Sequence, residues 1–563
     1  MTAIPRNSEF FKSSVQVAES FLQTAVVFDD SAEFYRYEAP TNITAPDEAP
    51  IRTESQAAQV MDADTDVVDS EENGAHFLYA KAVIDGFAKK RIICSVIKPE
   101  KDDLDESVSV MNDLARSADI VVLDWSIYKD NGKTALDILS NAIKGDDSFD
   151  SGQLRLFAVY TGAPELSEIF EKIQKRLATE LEDEEKEIEE REEEKLSYSF
   201  GSAKVILLAK SETPNLLPEF KKYVVPFEEL VDRLTEEFAG MTAGLVSNTV
   251  LNSLAVVRRN THRILTRFQG RLDAPYLTHR FMLPDPEEAE ALLISMITEE
   301  FYGLLEDAES GKMADLSMIE AWLDAINPGE LKLENDVSIR SEDVLSILES
   351  GYNSWTENRP ENTTPSKSKL KKSGRQLHTM ALTAYFSGLT GAAEDADWLD
   401  EHFSHVTMIR SRYNNTEPTL SLGTIIRHEA ETEESCYFVC IQPRCDCVRV
   451  FEERKFLFLP LEKNEKHFDF VVCEDDSFHR LICRRKPFDL QLIPFNSSHE
   501  DGRIRAVKNN VGNFEIMDCN NVRYQWLGEL RGDHGLRLTN QFAVTLSRIG
   551  LDEAEWLRRY ATR

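Results

Sequence analysis

The sequence predicts a multidomain protein: an N-terminal α/β domain built on a parallel five-stranded sheet, an α-helical middle and a β-rich α+β C-terminal domain. Three observations carry this. Between residues 14 and 243, short solid apolar runs alternate with amphipathic stretches, the pattern of a parallel sheet covered on both faces. From 244 the apolar period is helical, and from about 418 it changes to short segments bounded by turn residues, as strands require. At 563 residues the chain also exceeds what a single core supports.

Taken in order, "TAVVFDD" (24–30) reads as a buried strand, "FLYAKAVIDGFAKK" (77–90) as a helix, "RIICSVI" (91–97) as a strand and "LDESVSVMNDLARSA" (104–118) as a helix. "DIVVLDW", "LRLFAVYTG" and "AKVILLAKS" supply three more strands, and "KTALDILSNAIK" and "PFEELVDRLTEEFAGM" two more helices. Two insertions interrupt the rhythm. Residues 31–74 are polar, acidic and Pro-containing, a loop by composition. Residues 164–199 begin with Leu166, Ile169, Phe170, Ile173, Leu177 and Leu181 at helical spacing and end in "ELEDEEKEIEEREEEK". They read as a projecting charged helix, with a partner-binding arm as the alternative.

Residues 244–353 form the expected helical domain, in which Val250, Leu251, Leu254, Val257, Ile264, Leu265 and Phe268 share one face. Arg258, Arg259, His262, Arg263 and Arg267 make a basic face there, suited to pairing with the protein's own acids or plain solvation or, as the minority reading, to a phosphate or nucleic-acid contact. Residues 354–376 read as a linker, 377–417 as a helical segment, and 418–563 as a barrel-like or sandwich-like β unit closed by "LTNQFAVTLSRIG" and a turn around Trp556.

The net charge of −36 is uneven. Residues 1–243 hold 26 basic against 50 acidic groups, whereas 420–563 hold 21 against 23. General attraction to nucleic acid is therefore not expected in the N-terminal half, whereas the near-neutral C-terminal part leaves room for a local basic patch. No run approaches the roughly 18 apolar residues of a membrane span, and "MTAIPRNSEFFKSSVQ" lacks the order of a signal peptide. Eight irregularly spaced cysteines suit a reducing compartment, so a cytoplasmic location is expected.

In a parallel α/β sheet, reactive groups collect at the carboxyl ends of the strands. Those ends carry Asp29 and Asp30, Asp124, Thr161 and Lys210. Clustered carboxylates repel, and a hard dication such as Mg²⁺ relieves them while accepting a phosphate oxygen. A carboxylate beside that ion can attack phosphorus, and a lysine and a hydroxyl can neutralise charge on the transferring group.

This set resembles the receiver domain of two-component response regulators. "FDD" ends strand one, "VVLDW" is followed by a glycine eight residues after its aspartate ("DWSIYKDNG"), "VYTGA" ends strand four and "ILLAK" ends strand five. The resemblance covers about residues 20–243 and implies a flavodoxin-like strand order. It also implies that Asp124 is the phosphoacceptor and that Thr161 and Lys210 are the switch hydroxyl and the pairing cation. Mg²⁺ would lie on Asp29, Asp30, Asp124 and the Ser126 backbone carbonyl. Leu207 stands where typical receivers carry a switch aromatic, and Ser211 follows the lysine where proline is usual.

The resemblance implies a response-regulator-type signalling protein that takes phosphate from a histidine kinase or kinase-like ATPase and relays it to the C-terminal domain. Catalysis would go no further than phosphorylation of its own aspartate. A weaker resemblance is to large proteins with divergent receivers in bacterial defence or stress modules. The alternatives are a non-catalytic scaffold, binding partners through 164–199 or the C-terminal domain, and a nucleic-acid effector acting through 418–563.

Elsewhere, Cys436, Cys440, Cys445 and Cys447 lie within twelve residues, which leaves zinc and simple burial both open. His402 and His405 lie one turn apart near Asp397, Asp400 and Glu401. Arg444, Arg449, Arg484, Arg485, Lys486 and Arg523, interleaved with Tyr437, Phe438 and Trp526, suit ordinary surface pairing or a nucleic-acid or phosphate surface.

Overall fold

Aliphatic runs with no polar interruption build the centre of the N-terminal unit, because a strand buried on both faces has no solvent side on which to place a polar residue. The structure, a computed structural model, describes residues 4–34, 78–146, 153–180, 196–211, 213–283, 286, 288–327, 329, 331–333, 337–339, 341–359, 382–383, 385–386, 388–389, 396–413, 416–428, 436–465, 467–475, 477–546 and 558–560. It divides into two compact units. One comprises Ala3–Gly329 with Ser341–Trp355, and the other is chiefly Thr356–Arg563 with Glu330–Arg340.

The first unit opens with α1 (Glu9–Phe21), capped by the Ser8 hydroxyl, which accepts from Phe11 N. It continues through β1 (Thr24–Phe28), the short β2 (Ala32–Glu33) and β3 (Leu78–Tyr79), α2 (Ala80–Lys89), β4 (Ile93–Ile97) and α3 (Leu104–Ala115). Then come β5 (Ile120–Leu123), α4 (Lys133–Asp146), β6 (Arg155–Thr161), α5 (Leu166–Glu180), β7 (Ser197–Phe200), β8 (Ala203–Lys210), β9 (Val224–Val225) and α6 (Leu230–Thr242). The sheet runs β4-β1-β5-β6-β8-β7, and the first five strands are parallel in the flavodoxin-like order expected. One apolar cluster joins α1, α2 and α6 to one face, and a second joins α3, α4 and α5 to the other.

Several expectations need correcting here. The five parallel strands stand as expected, with two additions: β7 forms an antiparallel edge beside β8, and β9 pairs with the end of β8. The stretch from 164 does not project. Leu166, Ile169, Phe170, Ile173 and Leu177 are all buried against the sheet, so α5 is a core helix; the acidic run 181–195 lies outside the described residues, as do residues 35–77. Helix α1, which the sequence reading passed over, buries Phe10, Phe11, Val17, Ala18 and Phe21.

Helices α7 (Leu245–Arg267), α8 (Asp273–Met282), α9 (Glu288–Asp307) and α10 (Leu316–Ile326) fall in the same compact unit. The apolar face predicted for α7 is misplaced. Val250, Leu254 and Leu265 are exposed, whereas Asn248, Leu251 and Ala255 are buried, and Asn248 Nδ2 donates to Ser14 Oγ of α1 at 2.9 Å. Arg258 stacks on Phe21 and pairs with Asp119 at 3.2 Å, and Arg267 pairs with Glu300, so part of the basic face meets the protein's own acids. Beyond the short β10 (Leu331–Leu333) and β11 (Val337–Ile339) come α11 (Ser341–Ser350) and α12 (Tyr352–Asn358), which makes the first residues of the expected linker helical.

The second unit contains α13 (Ala396–Met408) and a nine-stranded antiparallel sheet: β12 (Thr424–His428), β13 (Cys436–Cys440), β14 (Arg454–Lys463), β15 (Phe470–Glu474), β16 (Ser477–Cys483), β17 (Gln491–Phe495), β18 (Val507–Lys508), β19 (Phe514–Met517) and β20 (Arg523–Glu529). Alternation sends Ile425, Val439 and Leu459 to one face and Ile426, Cys440 and Phe458 to the other. Helix α14 (Gly532–Leu546) covers the first face with Leu538 and Phe542; the turn expected around Trp556 lies largely outside the described residues. Among the described residues, no single helix is long and apolar enough to cross a membrane.

If α1 is part of the core, Phe11→Ala should cost about 3–5 kcal/mol of stability, read as a lower urea midpoint for the full chain. An unchanged midpoint would mean that α1 packs only loosely.

Candidate functional site

The register brings the strand ends together. Asp124 N donates to Phe28 O at 2.8 Å and Asp29 N to Ile97 O at 3.2 Å, so both aspartates leave the sheet beside one another. Lys210 ends β8, two strands from β5, and its side chain crosses the end of β6 to reach them. Its Nζ lies 2.8 Å from Asp29 Oδ2 and 3.0 Å from Asp124 Oδ1. All three side chains are almost fully buried, and Thr161 beside them is 1% exposed.

One ammonium between two carboxylates leaves a net negative charge in a buried site. Burial pushes the Asp29 carboxyl up to about 6, with Lys210 opposing and the Asp124 charge adding to the rise. Burial pulls Lys210 down, but Asp124 and Asp29 outweigh it and hold the ammonium above its ordinary value. The Asp124 Oδ1 atom is buried and makes no aligned hydrogen bond; its neighbour is the Lys210 ammonium.

The loop after Asp124 is held by backbone contacts to carboxylates. Ser126 N donates to Asp124 Oδ2 at 3.0 Å and Tyr128 N to Asp30 Oδ2 at 2.7 Å, while the Tyr128 hydroxyl reaches Pro99 O at 2.6 Å. Tyr128, Lys129 and Asn131 all have positive φ, a concentration of costly backbone that persists only where surrounding contacts impose it. Gly132, the glycine of the motif, has φ +86, and a Cβ there would lie 2.2 Å from the Trp125 ring. Asp130 then starts α4 by accepting from Gly132 N and Thr134 N.

The structure therefore brings Asp29, Asp124 and Lys210 together and sets Thr161 next to them. Asp30 is placed differently. It is half-buried and its carboxylate is turned to the Tyr128 N–H, and among the described residues no cluster of three or more His, Cys, Asp or Glu side chains is disposed to hold a metal ion. Asp29, Asp30, Asp124 and the Ser126 carbonyl remain a set of hard oxygen donors with three negative charges, the chemistry that Mg²⁺ suits, and Asp124 Oδ1 is a buried oxygen of that set.

Sequence reasoning missed three supports. The Tyr160 ring lies under the Lys210 ammonium at 5.7 Å, and its hydroxyl donates to Val225 O; burial raises that phenol. Thr213 Oγ1 donates to Lys210 O at 2.7 Å, closing the strand-five turn. Trp125 is the surface against which Gly132 packs. Leu207, at the usual aromatic position, is fully buried in the core. Of these, only Tyr160 had a visible signal, an aromatic immediately before the threonine.

Comparison with known families bears on this arrangement. Residues 21–215 match the family model of the response receiver domain. The matched span is just over a third of the chain and includes all five strand-end side chains. No curated protein and no solved structure matches the chain. The receiver domain thus accounts for the five parallel strands, while α1 lies mostly and α7–α10 lie wholly outside the matched span in the same compact unit.

Among the described residues, the other candidates from the sequence form no cluster disposed to hold a metal ion. Cys440 and Cys447 are buried and Cys436 and Cys445 exposed, and all eight cysteines are free thiols. His405 bonds Val471 O, His402 stacks on Trp398 and Glu401 pairs with Arg480. Arg484 pairs with Glu462, Arg485 with Asp469, Arg444 with Glu529 and Arg523 with Glu515.

The raised Asp29 value sets a signed expectation for the metal-free protein. Its folded pKa of about 6 exceeds the ordinary 3.8, so stability is full below pH 3.8 and falls as pH rises through 6. Asp29→Asn lacks that loss and should be more stable by about 1–3 kcal/mol above pH 6, with the gain vanishing near pH 4. Urea unfolding with a chelator present measures it, and a pH-independent difference would contradict the assigned cause. Gly132→Ala should destabilise by about 2 kcal/mol or more.

Proposed function

We propose that this protein is a response-regulator-type signalling protein whose receiver domain accepts a phosphoryl group on Asp124 from a histidine kinase or kinase-like ATPase. The carrying observation is the Lys210 ammonium bridging Asp29 and Asp124 at the carboxyl end of the sheet, with the Thr161 side chain buried on the next strand. A carboxylate oxygen of Asp124 attacks phosphorus in line; the new P–O bond forms as the P–N bond of the phosphohistidine breaks. The imidazole leaves with the electron pair and takes a proton from solvent.

Asp29, Asp30, Asp124 and the Ser126 carbonyl would hold Mg²⁺, which when bound neutralises the phosphoryl oxygens. Lys210 pairs with one phosphoryl oxygen and the Thr161 hydroxyl donates to another. Adding phosphate to Asp124 takes Lys210 from its present carboxylate partners and thereby loosens the contacts among β1, β5 and β8. Relay to the C-terminal domain and a place in a bacterial defence or stress module belong to the same proposal, the latter on resemblance alone.

A non-catalytic scaffold is the second reading. It is favoured by the way the Asp30 carboxylate is turned to Tyr128 N–H. The paired arginines of the second unit weigh against a nucleic-acid effector.

Incubation with Mg²⁺ and a small acyl phosphate, followed by intact mass, should give one phosphoryl adduct that is absent without Mg²⁺ and lost in Asp124→Ala. No adduct on the wild-type chain, with partner binding unchanged by Asp124→Ala, would establish the scaffold instead.

A further inference from the structure

A second charged cluster lies in the first unit, away from the strand-end carboxylates. Glu237 of α6 is 1% exposed and faces three cations: it accepts from Arg6 Nη2 at 2.7 Å and Lys204 Nζ at 3.0 Å, and pairs with Arg233 Nη2 at 2.8 Å. Burial pushes its carboxyl up, but Lys204, Arg6 and Arg233 together hold it below its ordinary value, so it stays ionised. Lys204 is near the start of β8, whereas Lys210 ends that strand, so the two clusters sit at opposite ends of one eight-residue element.

A cavity of about 170 Å³ opens over this cluster, at the outer edge of the sheet where β7 and β9 pair in turn with β8. Arg6, Lys222 and Arg233 line it with Glu237, alongside Ser197 and Tyr223. Three cationic walls thus meet one carboxylate, and that carboxylate already pairs with two of them. The Arg233 Nε–H is buried and has no hydrogen-bond partner among the described residues, a donor that an oxyanion would satisfy.

The size narrows the ligand. At about 30 Å³ of liquid volume per water, the cavity holds several waters, yet it falls below the roughly 300 Å³ at which pockets for larger organic ligands begin. Arginine forks beside a lysine and a tyrosine suit tetrahedral oxyanions, which take several donors at once.

We propose that this cavity binds a small tetrahedral oxyanion of the inorganic phosphate class, held by Arg6, Lys222 and Arg233, at a site separate from Asp124. Glu237 is the positioning residue that fixes the two arginines. The site requires no phosphoryl transfer at Asp124, so it stands or falls independently of the receiver chemistry.

Titration calorimetry of the full chain with inorganic phosphate, at ionic strength held constant with chloride, tests this. Saturable binding is expected for the wild type and equally for Asp124→Ala, which separates the site from the phosphoacceptor. Lys222→Gln and Arg233→Gln should each weaken it about tenfold, the effect of one charge-assisted hydrogen bond. Lys222→Gln leaves the Arg6, Lys204 and Arg233 pairs with Glu237 in place, so it serves where Arg233→Gln fails to fold. An absence of saturable binding, or binding unaffected by Lys222→Gln, would overturn the proposal.

Discussion

The burial of Lys210 between Asp29 and Asp124 constrains everything around it. Removing an ammonium and two carboxylates from water costs several kcal/mol per ion, and only close pairing recovers it. The three strands that carry these groups are therefore fixed in register at their carboxyl ends. The backbone shows this in Asp124 N reaching Phe28 O, and in Thr213 closing onto Lys210 O. A second consequence is the loop from Trp125 to Gly132, which takes three non-glycine residues into positive φ so that Asp30 can hold Tyr128 N–H and Trp125 can pack under the glycine.

Much of the site was legible because its residues follow solid apolar runs, where a lone acid, hydroxyl or amine stands out. Asp29, Asp124, Thr161 and Lys210 converge for that reason. The direction of Asp30 was not legible: adjacent residues at a strand end leave on different sides, and nothing in "FDD" says which of them meets Lys210. Tyr160 stands in view just before the threonine, but an aromatic inside "FAVYTG" reads as core, and it is indeed buried while also lying beneath the ammonium.

The helical readings failed where periodicity is silent about partners. The apolar stripe of α5 looks the same whether it lies on a sheet or in an arm, and here the sheet supplies the partner. In α7 the buried side includes Asn248, which an apolar count rejects, because Ser14 of α1 offers it a hydrogen bond in the interior. The paired position, "EFFKSSVQVAESF", has its own apolar spacing, but its weight comes from covering a face formed by α6 and α7 much later in the chain.

Strand β5 is only four residues long, and both of its ends are occupied. Asp124 follows it; Asp119 precedes it, accepting from Gln23 N and Thr24 N while Arg258 of α7 grips its carboxylate. At about 3.3 Å per residue, roughly 13 Å of extended backbone, too short to flex, separates the two aspartates' strand ends. Helix α7 is thus tied, through Arg258 and Asp119, to the opposite end of the strand that carries Asp124.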